Sequence, residues 1–199
     1  MTTPLIESGI ACLTMPGQFQ SGDRYLVQPS LNGLLVAVVD GLGHGEQAAT
    51  AADRAVTTLI NHTDESVIAL VKRCHHALRD TRGVVMSLAS FNKPDWALTW
   101  IGIGNVEGLV LRAEGSPPPK YETLLLRGGV VGDQLPSLSA SIIPLTKGDT
   151  LVFTTDGIRG GFAKDLSSSD PAQVMADRIL AKYSKDADDA LVFVVRFLK

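Results

Sequence analysis

VVDGLGHGEQAATAADRAV, residues 38–56, changes character twice within nineteen positions. An apolar run of strand type stops at Asp40. Gly41, Gly43, His44 and Gly45 follow, and then an alanine-rich segment begins. Ala48, Ala52, Ala55, Val56 and Leu59 recur at helical spacing, which predicts a helix over Gly45–Asn61. Asp-Gly after a strand ordinarily marks a hairpin turn. A hairpin needs a second strand, and here a helix follows. Asp40 is therefore either a plain turn residue or one half of a metal site, with Gly41 leaving its carbonyl open to an ion.

Working outward, the stretches before it read as strands: Ile6–Thr14, Asp23–Gln28 and Gly33–Val39. After it comes a second helix over Asp64–Asp80, capped by Thr63 or Asp64, with Ile68, Val71, Cys74, His75 and Leu78 as its stripe. Then strand patterns follow one another: GVVMSLASF, WALTWIGIG, VEGLVLRA, YETLLLRG, SASIIPL and DTLVFTTD. LTWIGIGNVEGLVLR reads as a hairpin turning at Gly104–Asn105. GSPPPKYE, residues 115–122, reads as a stiff surface loop. A third helix is expected over Asp170–Tyr183 with Pro171 at its first position. The chain closes with DDALVFVVRFLK, apolar at most positions and so expected inside a sheet. Strands in runs and helices in a pair argue against alternating βαβ units. The expected fold class is α+β, with antiparallel sheets packed face to face and helices covering the outside.

The 199 residues suit one domain spanning 1–199, and 45% hydrophobic content supports a core without disulfide staples. A net charge of −3 argues against a nucleic-acid partner. No run reaches the length of a membrane span, and the first residues lack a basic leader, so a cytoplasmic protein is expected. Cys12 and Cys74 form no framework and read as buried free thiols.

The acidic residues share a grammar. Asp40 ends LLVAVVD, Asp156 ends DTLVFTTD, Asp188 and Asp189 open DDALVFVV, and Asp23 follows Gly22 at a strand start. All fall at strand ends, where a sandwich presents side chains at its rim. Carboxylates and carbonyls are the donors that Mg²⁺ and Mn²⁺ prefer, and such ions keep several waters, so two or three aspartates suffice. A pair of ions sharing one carboxylate would activate a water between them. Zinc is disfavoured: of the four histidines, only His44 lies near an acidic motif. His44 either orients a substrate or simply starts the helix. His75 reads as a core or edge residue and His76 as a solvent one.

DGLGHGE, TTDG and DD before a last strand, with GD near the start, resemble the metal-dependent PPM (2C-type) serine/threonine phosphatases, in the form of their SpoIIE branch. The resemblance covers essentially the whole chain. It implies a four-layer α-β-β-α sandwich with two Mn²⁺ or Mg²⁺ ions at one rim. It implies that Asp40 bridges both ions, that the Gly41 carbonyl binds one, that Asp156 and Asp188 bind the other, and that Asp23 acts on the first. Asp188 is preferred to Asp189 because it opens the motif. Arg24 and Arg159 are the candidates for an arginine that holds phosphate, though each reads more naturally as a surface residue. Because the chain matches the short stand-alone members of the branch, the resemblance also implies partners: phosphorylated stressosome scaffold proteins with STAS domains, dephosphorylated to reset stress signalling. A partner-binding module that kept the fold without activity, and a two-metal enzyme acting on small phosphoesters, are the rival readings. No Walker loop or GxGxxG segment supports a nucleotide substrate.

Overall fold

The computed structural model describes residues 5–185 and 187–198. Ten strands and three helices follow in the order β1 (Ile6–Leu13), β2 (Asp23–Ser30), β3 (Gly33–Gly41), α1 (Glu46–Ile60), α2 (Val67–Ala77), β4 (Val84–Asn92), β5 (Ala97–Ile103), β6 (Glu107–Leu111), β7 (Tyr121–Thr123), β8 (Ser141–Pro144), β9 (Thr150–Thr154), α3 (Ala172–Tyr183) and β10 (Ala190–Phe197), with a 3₁₀ turn at Phe162–Asp165 before α3. One sheet has the order β1-β10-β9-β6-β7 and the other β2-β3-β4-β5-β8, and neighbouring strands are antiparallel throughout.

Three apolar layers hold these parts together. Val36, Val38, Phe91, Trp100, Phe153 and Phe193 lie between the sheets. Leu35, Ala37 and Val39 alternate with them along β3 and face α1 and α2, meeting Ala52, Ala55, Leu70 and Cys74. Met175, Ala176 and Ile179 of α3 cover Val152, Val192 and Val194 on the other sheet. β3 and β10 are buried on both faces, which is why they read as continuous apolar runs instead of alternating ones. The arrangement is the expected four-layer α-β-β-α sandwich.

Several expectations are corrected. β5 and β6 do not form a hairpin: β5 pairs with β4 and β8, β6 with β7 and β9, and the connection through Gly104 and Asn105 crosses from one sheet to the other. Both strands are nearly fully buried, so their apolar pattern is the same whether they pair or face each other. YETLLLRG contributes only Tyr121–Thr123 as strand. Ser66, not Thr63 or Asp64, caps α2; its side chain accepts the Ala69 N–H, while Asp64 accepts the Leu31 N–H. Pro171 occupies the N-cap of α3, one position earlier than expected. Cys12 is exposed, while Cys74 is buried as expected, and burial pushes its thiol up to about 12. His75 is half-buried and accepts the Gly132 N–H, and His76 is exposed.

Candidate active site

The four aspartates that the sequence singled out gather at one edge of the sandwich, two from each sheet. Asp23 and Asp40 are direct partners across the β2–β3 pair. Asp156 follows β9 and Asp188 precedes β10, strands that pair in the opposite sheet. Asp40, Asp156 and Asp188 line a cleft of about 630 Å³ together with His44, Asn105 and Met15. Asp23 lies deeper, at 6% exposure.

The electrostatics record how crowded the edge is. Burial, then the Asp23, Asp156, Asp188 and Asp189 charges, push the Asp40 carboxyl up to about 8. Burial does the same to Asp23, up to about 7, against a lowering hydrogen bond from Thr155. Asp188 is raised by burial and by Asp156. Among the described residues, none of these carboxylates forms an ion pair with a lysine or arginine. Nor do three histidine, cysteine or acidic side chains already converge in a ligating arrangement. Repelling carboxylates that no lysine or arginine pairs with among the described residues are a donor set that fits hard divalent ions, whose shells are completed by water.

The two Asp-Gly glycines also have a packing reason. A Cβ on Gly41 would fall 2.1 Å from the Ala48 carbonyl oxygen, so the first turn of α1 can seat against the end of β3 only if residue 41 is glycine. A Cβ on Gly157 would fall 1.9 Å from the Asp189 carbonyl oxygen, so the Asp156 turn packs directly on the backbone before β10. Each glycine presses an aspartate-bearing turn against a neighbouring element.

Around the carboxylates stands a set of supporting groups, of which sequence reasoning had weighed only Asp189, as the alternative to Asp188. The Thr155 hydroxyl donates to Asp23 Oδ2 at 2.8 Å and accepts the Leu191 N–H at 2.9 Å, fixing Asp23 from the opposite sheet. Asn105 Nδ2 donates to Asp156 Oδ2 at 2.9 Å. Lys185 Nζ donates to the Asp156 carbonyl at 2.5 Å. Asp189 is buried beside them and accepts the N–H groups of Met15 and Gly22, each at 2.7 Å. Thr155 was within reach of the reading, since it stands inside the TTDG motif. Asn105 was hidden by the hairpin assignment, which made it a turn residue.

Of the arginine candidates, Arg24 pairs with Asp53 of α1 at 2.5 Å and is occupied there. Arg159 lines a recess of about 290 Å³ beside Asp156, together with Lys185. His44 is exposed at the cleft and does not sit in α1, whose N-cap is Gly45.

Comparison with known proteins agrees with this geometry. Residues 31–198 match the family described as stage II sporulation protein E (SpoIIE). The phosphoserine phosphatase RsbX of Bacillus subtilis (strain 168) is 24% identical over 153 residues, covering 77% of this chain and 75% of RsbX. A chain solved in work on the bacterial stressosome, as a modular system adapted to control secondary messenger signalling, superposes with a TM-score of 0.86 at 29% identity, covering 96% of this chain and 99% of that one. RsbX in complex with magnesium superposes with a TM-score of 0.86 at 21% identity, over 99% of this chain and 98% of that one, and shares the fold. The chain therefore belongs to the SpoIIE family of PPM-type serine/threonine phosphatases.

Proposed function

We propose that this chain, as one catalytic domain, removes phosphate from phosphoserine or phosphothreonine on stressosome scaffold proteins of the STAS class, using two Mn²⁺ or Mg²⁺ ions, and so resets stress signalling in the cytoplasm. One observation carries the reading: Asp23, Asp40, Asp156 and Asp188, distant in sequence, meet at one rim without a lysine or arginine ion partner among the described residues. The similarity to RsbX and to the stressosome-derived chain supports the partner class. Among the described residues no helix is long and apolar enough to cross a membrane, and both cysteines are free, which suits a reducing compartment.

The charges of Asp23, Asp156 and Asp188 all act on Asp40, which would hold both ions; Asp156 and Asp188 would hold one, and Asp23 and the Gly41 carbonyl the other. Such ions, when bound, lower the proton affinity of a shared water and neutralise charge on phosphoryl oxygens. The protein's own work is orientation. Thr155 engages Oδ2 of Asp23 and Asn105 engages Oδ2 of Asp156, so the remaining lone pairs of each carboxylate are the ones left for an ion. His44 and the apolar wall of Met15, Leu42 and Val85 take the residue that bears the phosphate.

The test is phosphate release from a phosphorylated STAS-domain protein and from a small aryl phosphate, with Mn²⁺ or Mg²⁺, with a chelator, and with Asp40→Asn. Release that needs the cation and Asp40 is the expected result. Binding without release from either substrate makes the chain a partner module, and full turnover in chelator removes the ions from the reading.

A further inference from the structure

Asp189 is buried at 5% exposure and carries a carboxylate beside Asp188. Its two oxygens are both used. Oδ1 accepts the N–H of Met15 and Oδ2 the N–H of Gly22, bonds that span 174 and 167 positions of sequence. Met15 and Gly22 delimit most of the connection between β1 and β2. That connection touches the cleft at one end and solvent at the other. Met15 lines the cleft together with Asp40 and Asp156, while Phe19 is fully exposed.

The two ends are held unequally. Gly22 has a second tie, its carbonyl accepting the Gly41 N–H at 3.1 Å, and Asp23 beyond it is fixed by β3, by Ser21 Oγ and by Thr155. Among the described residues, the only other bond of the Met15 backbone lies within the loop, to the Gln18 N–H. Losing the Asp189 carboxylate would therefore leave Asp23 in place and release the Met15–Gln18 turn.

We propose that Asp189 is a positioning residue for substrate: it clamps the β1–β2 connection so that Met15 forms a fixed wall of the cleft. Charge-assisted bonds to backbone N–H groups are among the stronger ones, and a wall held by them needs no reordering when a peptide arrives. The proposal rests on the phosphatase reading for its kinetic arm alone.

The experiment uses the full chain, wild type, Asp189→Asn and Met15→Ala, with a synthetic phosphoserine peptide in saturating Mn²⁺, alongside amide hydrogen exchange. In Asp189→Asn an NH₂ replaces one acceptor. The Met15 amide should then exchange about tenfold faster or more, while amides of β3 keep their protection. KM for the peptide should rise about tenfold, with kcat within about twofold of wild type. Met15→Ala, which keeps the clamp and shortens the wall, should raise KM with exchange of the residue-15 amide unchanged. Unchanged exchange at Met15 in Asp189→Asn overturns the clamp. A loss that falls on kcat and is recovered by more Mn²⁺ also overturns it, because the carboxylate then serves the ions. Should Asp189→Asn fail to fold, an unchanged KM in Met15→Ala overturns the wall. A wild type inert on every phosphopeptide, with Met15 exchange accelerated in the variant, overturns the phosphatase reading and supports the clamp.

Discussion

Asp23 and Asp40 stand directly opposite each other in the β2–β3 register, one fully buried and one half-buried. Like charges placed opposite one another destabilise a strand pair. The ion-free chain relieves the strain by holding protons that ordinary aspartates would have lost, Asp40 up to about 8 and Asp23 up to about 7.

The sign of the pH dependence follows. Between the ordinary aspartate range and these raised values, the folded chain binds more protons than the unfolded chain. Its ion-free stability therefore falls as pH rises from about 4 to about 8, the reverse of a salt-bridged carboxylate. Thermal melts in chelator at about pH 5 and about pH 8.5 should show the lower Tm at the higher pH, and Mn²⁺ should raise Tm most at the higher pH. A Tm that climbs with pH in chelator contradicts the arrangement.

Asp40→Asn should separate activity from stability. Turnover should fall by about a thousandfold or more, because the residue placed to hold both ions has lost its charge. The ion-free fold should gain about 1 kcal/mol, since a buried like-charge partner is removed. Steady-state kinetics and urea unfolding in chelator check the two halves independently.

Thr155 joins the sheets through one hydroxyl. Thr155→Val keeps the shape but leaves the buried Leu191 N–H without its acceptor and Asp23 without its donor. A cost of about 1–3 kcal/mol is expected, together with weaker Mn²⁺ binding. Thr155→Ser should recover most of both. Urea unfolding and calorimetric metal titration give the numbers.

The glycine of the second Asp-Gly pair is set by contact. Gly157→Ala would drive a methyl into the Asp189 carbonyl and should cost about 2 kcal/mol or more. Gly160→Ala, three residues on and with open space around it, should change stability by less than about 0.5 kcal/mol. Equal effects in the two would mean that the turn yields freely.

The aspartates were legible because each ends or opens an apolar run, and strand ends in a sandwich converge at its rims. Periodicity located α1, which begins at Glu46, one residue inside the expected start. Pairing was not legible where strands are buried on both faces: β5 and β6 carry the same apolar signal as partners or as opposed strands. That one error concealed Asn105, whose role depends on the chain changing sheets there. The clamp at Asp189 was also out of reach, because its partners are backbone N–H groups, which leave no mark on side-chain identity.

The crossing at Gly104–Asn105 has a mechanical consequence. Asp23 and Asp40 ride on one layer and Asp156 and Asp188 on the other, and the bonds described above that reach from one layer to a carboxylate of the other are those of Thr155 to Asp23 and of Gly22 to Asp189. Sliding the layers past each other by about an ångström would leave every ladder bond within each sheet intact, yet would pull the donor set apart. Cations seated there would act as rivets through the sandwich, and their grip would gauge how well the two plates are aligned.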